Sequence, residues 1–114
     1  MNLKIKGVLE HMLEDALDAM QFAIDVGTPK ALSTDKRNRK AIIMSILNIG
    51  ELAKNLPPEY KSDHSEIPWK NIIGMRERAA HGYHVMDNDI VWDVVINHLP
   101  DLARFLEKQL KGAN

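Results

Sequence analysis

The stretch Lys36-Arg37-Asn38-Arg39-Lys40-Ala41-Ile42-Ile43-Met44-Ser45-Ile46-Leu47-Asn48-Ile49-Gly50-Glu51-Leu52-Ala53-Lys54-Asn55-Leu56 decides how the chain folds. It opens on charge and then sets apolar side chains at Ala41, Ile42, Ile43, Met44, Ile46, Leu47, Ile49, Leu52, Ala53 and Leu56. So dense an apolar content predicts a central helix that is buried on most of its circumference. Ser33, Thr34 and Asp35 precede it with oxygens able to cap its free amides. Pro57 and Pro58 cannot continue it, because proline has no amide to donate and its ring crowds the preceding turn.

Upstream, Ile5, Leu9, Met12, Ala16, Met20 and Ala23 recur at the three-and-four spacing of an amphipathic helix, which Gly27 and Pro29 close. Downstream, Glu59 to Glu66 reads as a polar connection with room for one short helical turn. Pro68 suits the first position of a third helix, anchored by Trp69, Ile72, Ile73 and Met75 and stopped by Gly82. Asp87 or Asn88 can cap a last helix carrying Ile90, Val91, Val94, Val95, Leu99, Leu102, Phe105, Leu106 and Leu110. Pro100 falls inside that pattern and predicts a kink there, or a break into two helices. No strand-like alternation competes. The expectation is an all-α, up-and-down bundle of four or five helices forming one domain over residues 1–114.

At 114 residues, 45% of them apolar, the chain can sustain one modest core. Cysteine is absent, which excludes a disulfide framework, a thiolate zinc site and a cysteine nucleophile. Leu3 to Leu9 carries two lysines, and Glu10, Glu14 and Asp15 follow at once, unlike a signal peptide. No uninterrupted apolar run approaches the roughly 18 residues of a membrane span. A cytoplasmic protein without membrane contact is expected. Fifteen basic against sixteen acidic side chains give a net charge of -1, so any nucleic acid must be held by a local arrangement rather than by the overall field.

The candidate chemistry lies in Met75-Arg76-Glu77-Arg78-Ala79-Ala80-His81-Gly82-Tyr83-His84, where two arginines, two histidines and a tyrosine gather at a helix end. Positions five apart on a straight helix diverge by about 140°, so Arg76 and His81 would point apart. A left-handed Gly82 would instead make His81 the cap residue and let its ring swing back toward Arg76. Cleaving RNA without a metal needs an acceptor for the 2′-hydroxyl proton, a donor for the leaving oxygen and a fixed cation for the charge on phosphorus. Histidine can fill either proton role, and arginine offers a permanent fork matched to phosphate oxygens. With one histidine in the motif, a twofold dimer would supply both an acid and a base.

Arg76, four residues, His81, one residue and Tyr83 spell R-x4-H-x-Y, and in this the chain resembles the HepT-like branch of the HEPN superfamily. The blocks Asn48 to Pro57, Ile67 to Arg76, Ile90-Val91-Trp92 and Leu99-Pro100 are similar to that family's successive blocks, so the resemblance spans nearly the whole chain. It implies a dimeric helical bundle and a metal-independent endoribonuclease without cofactor, the toxin of a type VII-like toxin-antitoxin system acting on RNA. It further implies a cognate minimal nucleotidyltransferase as antitoxin, which blocks the toxin by transferring AMP to Tyr83. Catalytic roles then fall to Arg76 and His81. A related reading makes such a chain a non-catalytic binding partner of a nucleotidyltransferase.

Plainer readings stand beside these. Arg76 and Arg78 could be last-turn cations complementing the helix dipole, His81 a cap, and Tyr83 an aromatic covering the bundle end. Glu51 lies in an apolar run and so either has a partner or sits at the surface. It is a supporting residue if it pairs with a motif arginine, or part of an ordinary salt bridge elsewhere, and Asn48 is a weaker candidate of the same kind. Arg78 and His84 could share the work of their neighbours. His81, His84, Asp87 and Asp89 superficially resemble a metal cluster, but Gly82 interrupts their helical spacing and no metal is expected. The basic run Lys36 to Lys40 could guide RNA or merely open a helix in solvent. His11, His64 and His98 read as surface or packing residues.

Overall fold

A computed structural model describes residues 1–112, so the last two positions of the expected 1–114 domain lie outside the described residues. Helix α1 spans Leu3–Val26. The side-chain oxygen of Asn2 caps it by accepting from the amides of Lys4 at 2.7 Å and Ile5 at 3.3 Å. It buries Leu9, Met12, Ala16, Ala19 and Ala23 and stops at Gly27, whose φ of +90° suits a residue without a Cβ. A 3-10 turn, Lys30–Ser33, tucks Leu32 into the core. Helix α2, Lys36–Lys54, starts where Asp35 accepts from the Asn38 amide at 3.2 Å. Its charged first turn gives way to buried Ile42, Ile43, Ser45, Ile46, Ile49, Gly50 and Ala53.

The connection after α2 holds the short helix α3, Pro58–Asp63, and α4 follows over Trp69–Gly82. Pro68 stands just before α4 rather than at its first helical position. A 3-10 turn, Tyr83–Val85, leads to α5, Asn88–Asp93, which Asp87 caps through the Asp89 amide at 2.8 Å. Residues Val94–His98 then form a π-helical turn that runs into α6, Leu99–Lys111. Pro100 cannot donate to the carbonyl of Ile96, and the wider turn absorbs that missing bond. The last helix is therefore distorted in place rather than broken apart.

The result is an all-α bundle in which α2 lies between α1 and α4, and α6 closes against α1. Two contacts fix the part that matters for function. At one end Tyr60, His64, Trp69 and Phe105 pack ring on ring, with centroids 4.5 to 6.4 Å apart, which ties α3 to α6. His64 is thus a packing residue. In the middle, α2 and α4 cross at Gly50, where an added Cβ would collide with the Cβ of Arg76 and lie 3.0 Å from the carbonyl oxygen of Ile72. Glycine inside a helix costs about 1 kcal/mol relative to alanine, and this close approach is what the cost permits. Among the described residues no helix is long and apolar enough to cross a membrane.

Candidate active site

The crossing at Gly50 sets Arg76 of α4 directly against the next residue of α2, Glu51. The Arg76 Nε donates to Glu51 Oε2 at 2.5 Å, and its Nη1 donates to Glu77 Oε1 at 3.0 Å. The side chain keeps a quarter of its surface in solvent. The hydrogen bond to Glu51 leads the causes that hold its pKa above the ordinary arginine value, so the guanidinium stays charged. Glu51 therefore has a partner, and that partner is the motif arginine. Asn48, one turn earlier, turns to a different cleft, lined by His11, Glu14, Asp15 and Glu51. There burial raises the carboxyl of Asp15 above the usual range, and a hydrogen bond with Asn48 works in the opposite direction.

Gly82 does not act as the sequence suggested. Its φ is 170°, extended rather than left-handed, and α4 runs through His81 to Gly82. His81 is thus an exposed residue of the last helical turn and not the cap. A helix that continues regularly from 76 to 81 separates the two directions by about 140°, so one protomer does not bring His81 back to Arg76. His81 instead lines a cleft of about 560 Å³ with Glu77, Arg78, Val85, Asp87 and Ile90. Glu77 connects the two: it binds Arg76, and it lies one turn before His81 on the same helix face.

Tyr83 is half-buried in the turn after α4 and faces the start of α2. The Lys40 Nζ stands 5.8 Å from its ring centroid, and the His84 ring meets it edge to face at 4.7 Å. Its backbone is fixed by Arg39, which the sequence shows only as one member of the basic run Lys36 to Lys40. Arg39 donates through Nε to Asn88 Oδ1 at 2.7 Å, and through Nη2 to the carbonyls of Tyr83 at 2.8 Å and Met86 at 3.0 Å. One guanidinium thereby pins the whole 83–88 segment to α2. Its partners lie 44 to 49 positions along the chain, and nothing in the local pattern of the basic run marks Arg39 among its neighbours.

Arg78 is exposed on the rim of the His81 cleft, and its Nη1 donates to the sulfur of Met75 at 4.0 Å. His84 is exposed beside Tyr83, His98 pairs with Asp93 at 3.1 Å, and His11 is exposed on α1. Among the described residues no group of three or more His, Cys, Asp or Glu could hold a metal ion.

Residues 12–109 match the family described as ribonuclease HepT-like. A candidate RNase of Caldanaerobacter subterraneus subsp. tengcongensis is 40% identical over 108 residues, covering 90% of this chain and 88% of its own. A candidate RNase of Methanocaldococcus jannaschii is 33% identical over 107 residues, covering 94% and 88%. A protein named as a probable ribonuclease HepT from Thermococcus cleftensis is 36% identical over 77 residues, covering 68% and 70%. No solved structure matches the chain. With the R-x4-H-x-Y residues placed on one helix end of an all-α bundle, and a family match over nearly its whole length, this chain belongs to the HepT-like ribonuclease family.

Proposed function

We propose that the chain is the toxin of a toxin-antitoxin pair, an endoribonuclease that cuts RNA without a metal and works as a homodimer. The family and the RNase names of its relatives support an RNA-cleaving enzyme. The observation that carries the mechanism is the setting of Arg76. Glu51 and Glu77 take its Nε and Nη1, which fixes the plane of the guanidinium and leaves the Nη2 donors for another acceptor. A preoriented, permanently charged fork is what stabilises the extra charge on a phosphorane-like transition state.

In this reading one His81 imidazole takes the proton of the 2′-hydroxyl as that oxygen attacks phosphorus. A protonated imidazole gives a proton to the departing 5′-oxygen. The products are a 2′,3′-cyclic phosphate and a 5′-hydroxyl. Within one protomer His81 and Arg76 diverge, so a twofold partner is needed to face them across a cleft. A suitable face exists on α2, where Leu47 and Met44, the latter 56% exposed, lie between Lys40 and Glu51. Tyr83 orients substrate, and its hydroxyl accepts AMP from ATP held by a cognate nucleotidyltransferase: the Tyr83 oxygen bonds to the α-phosphorus, pyrophosphate leaves and the phenolic proton passes to solvent. The added phosphodiester places negative charge and bulk beside the site.

The test is RNA cleavage by purified protein in chelator. Wild type should cut, while His81→Ala and Arg76→Ala should not; equal rates in all three would refute the assignment. Co-expression with the neighbouring nucleotidyltransferase should raise the intact mass by whole AMP units, and Tyr83→Phe should abolish the rise. The second reading, a non-catalytic partner subunit, draws on the two carboxylates that already occupy Arg76. It predicts a stable complex with the nucleotidyltransferase and no cleavage.

A further inference from the structure

The mouth of the groove between the start of α2 and the turn after α4 is lined by Ser33, Lys36, Arg39, Lys40, Tyr83, His84, Met86 and Asn88, and it encloses about 470 Å³. None of these residues is acidic, on a chain with more carboxylates than cations. Three other clefts differ in this respect, while the apolar groove beside it on α2, which shares Lys40 and Tyr83, is likewise free of carboxylates. Glu77 and Asp87 enter the cleft of His81, Glu14, Asp15 and Glu51 that of His11, and Glu66 and Glu107 one beside α6. Lys36 and Lys40 are both exposed, and neither pairs with a carboxylate among the described residues. They sit four apart on one helix face, roughly 6 Å from each other at Cβ. Arg39 forms the fixed wall, since its guanidinium already holds Asn88 and the carbonyls of Tyr83 and Met86. Two aromatic rings complete the lining: Tyr83, with the Lys40 ammonium 5.8 Å from its centroid, and His84, which meets Tyr83 at an interplanar angle of 65°.

Ammonium groups without a carboxylate partner, set beside aromatic rings, are the elements that hold single-stranded nucleic acid: cations follow the backbone and rings stack on bases. We propose that this groove binds the phosphodiester backbone of the RNA strand next to the cut, with successive phosphates on Lys36 and Lys40 and a base against Tyr83 or His84. The inference rests on the ribonuclease reading for the identity of its strand, but not for the existence of the site. It also explains how a protein of net charge -1 recruits a polyanion: attraction is local, and the carboxylates lie in other clefts.

The probe is a fluorescein-labelled single-stranded RNA decamer, read by anisotropy in the His81→Ala background so that binding is measured without cleavage. Lys36→Ala/Lys40→Ala should weaken binding about tenfold or more and lower the slope of log affinity against log salt by about 1.4, at roughly 0.7 per phosphate contact. Lys36→Arg/Lys40→Arg should retain both. Lys108→Ala/Lys111→Ala removes the same charge from the cleft beside α6 and should leave the slope unchanged. Circular dichroism establishes that each variant is folded. If the Lys36/Lys40 and Lys108/Lys111 variants lose affinity equally, only net charge is at work and the groove assignment falls. If wild type cleaves RNA and Lys36→Ala/Lys40→Ala keeps the wild-type KM and salt slope, the groove assignment falls while the ribonuclease reading stands. If wild type cleaves nothing yet binds the decamer through these two lysines, the groove stands and the ribonuclease reading falls.

Discussion

Replacing Gly50 by alanine separates what local propensity demands from what packing demands. In a solvated helix interior the change should stabilise by about 1 kcal/mol, because glycine loses more backbone freedom on folding. At this crossing the new Cβ would collide with the Cβ of Arg76, lie 3.0 Å from the Ile72 carbonyl oxygen and 3.2 Å from the Arg76 Cγ. A Cβ and a carbonyl are fixed to the α4 backbone, so no rotamer change relieves them and the two helices must separate. Overpacking of this kind costs about 1–3 kcal/mol. Set against the propensity gain, the net expectation is a loss near 1 kcal/mol, or about 5 °C in Tm for a chain of this size. Because α4 carries Arg76 and α2 carries Glu51, the same displacement opens their ion pair, and RNA cleavage should fall more than stability does. Urea unfolding followed by circular dichroism gives the first quantity and the cleavage rate gives the second. A cycle sharpens the test. In an Arg76→Gly background the colliding Cβ is gone, and Gly50→Ala should turn neutral or stabilising; in an Arg76→Ala background the Cβ remains and so should the penalty. Greater stability of Gly50→Ala than of wild type, or the same penalty in both backgrounds, would refute the close-crossing argument.

Three further outcomes follow from the structure. Arg39→Ala removes three hydrogen bonds from the 83–88 segment and should cost about 2 kcal/mol, with amide exchange accelerating at Tyr83 to Asn88 ahead of the core, and Arg39→Lys should not restore protection because one ammonium cannot span Asn88 and two carbonyls. The Asp35 carboxyl is held below its usual range by hydrogen bonds from the Asn38 side chain and amide, so its contribution to stability is present above its unfolded value near 3.8 and lost as pH falls through the lower folded value; Asp35→Asn keeps a capping oxygen and should flatten the fall in urea midpoint between about pH 5 and about pH 3. Burial raises the carboxyl of Asp15, which penalises its ionised form above the raised folded value and not below about 3.8; Asp15→Asn should therefore raise the urea midpoint at neutral pH and leave it unchanged in strong acid.

How much of this was legible in the sequence differs from residue to residue. The apolar spacing of α1 and α2 and the stop at Gly27 are local quantities, settled by neighbours within one or two turns, and they appear in the structure where the sequence put them; of the cap candidates the sequence offered, the structure uses Asp35 and Asp87. Pro100 announced a distortion, although whether the helix would break or widen depended on how α6 packs against α1. The motif residues were visible as letters, and the dense apolar run around Glu51 implied that its carboxylate needed a partner or the surface. That the partner is Arg76 was decided by the crossing at Gly50.

Two further matters belonged to tertiary structure alone. Gly82 could have taken the left-handed conformation, and the sequence allowed it; its φ is extended instead and α4 runs on through His81, which on a regular helix lies about 140° around from Arg76. Arg39 could not be told from Lys36, Arg37 or Lys40 by spacing or by charge. The sequence determined which segments coil and which faces are apolar, because backbone preference and hydrophobic period act over a few residues. Only the folded chain decided which charges meet, since an ion pair between α2 and α4, or a guanidinium reaching the turn after α4, exists only once burial has brought distant segments within hydrogen-bonding distance.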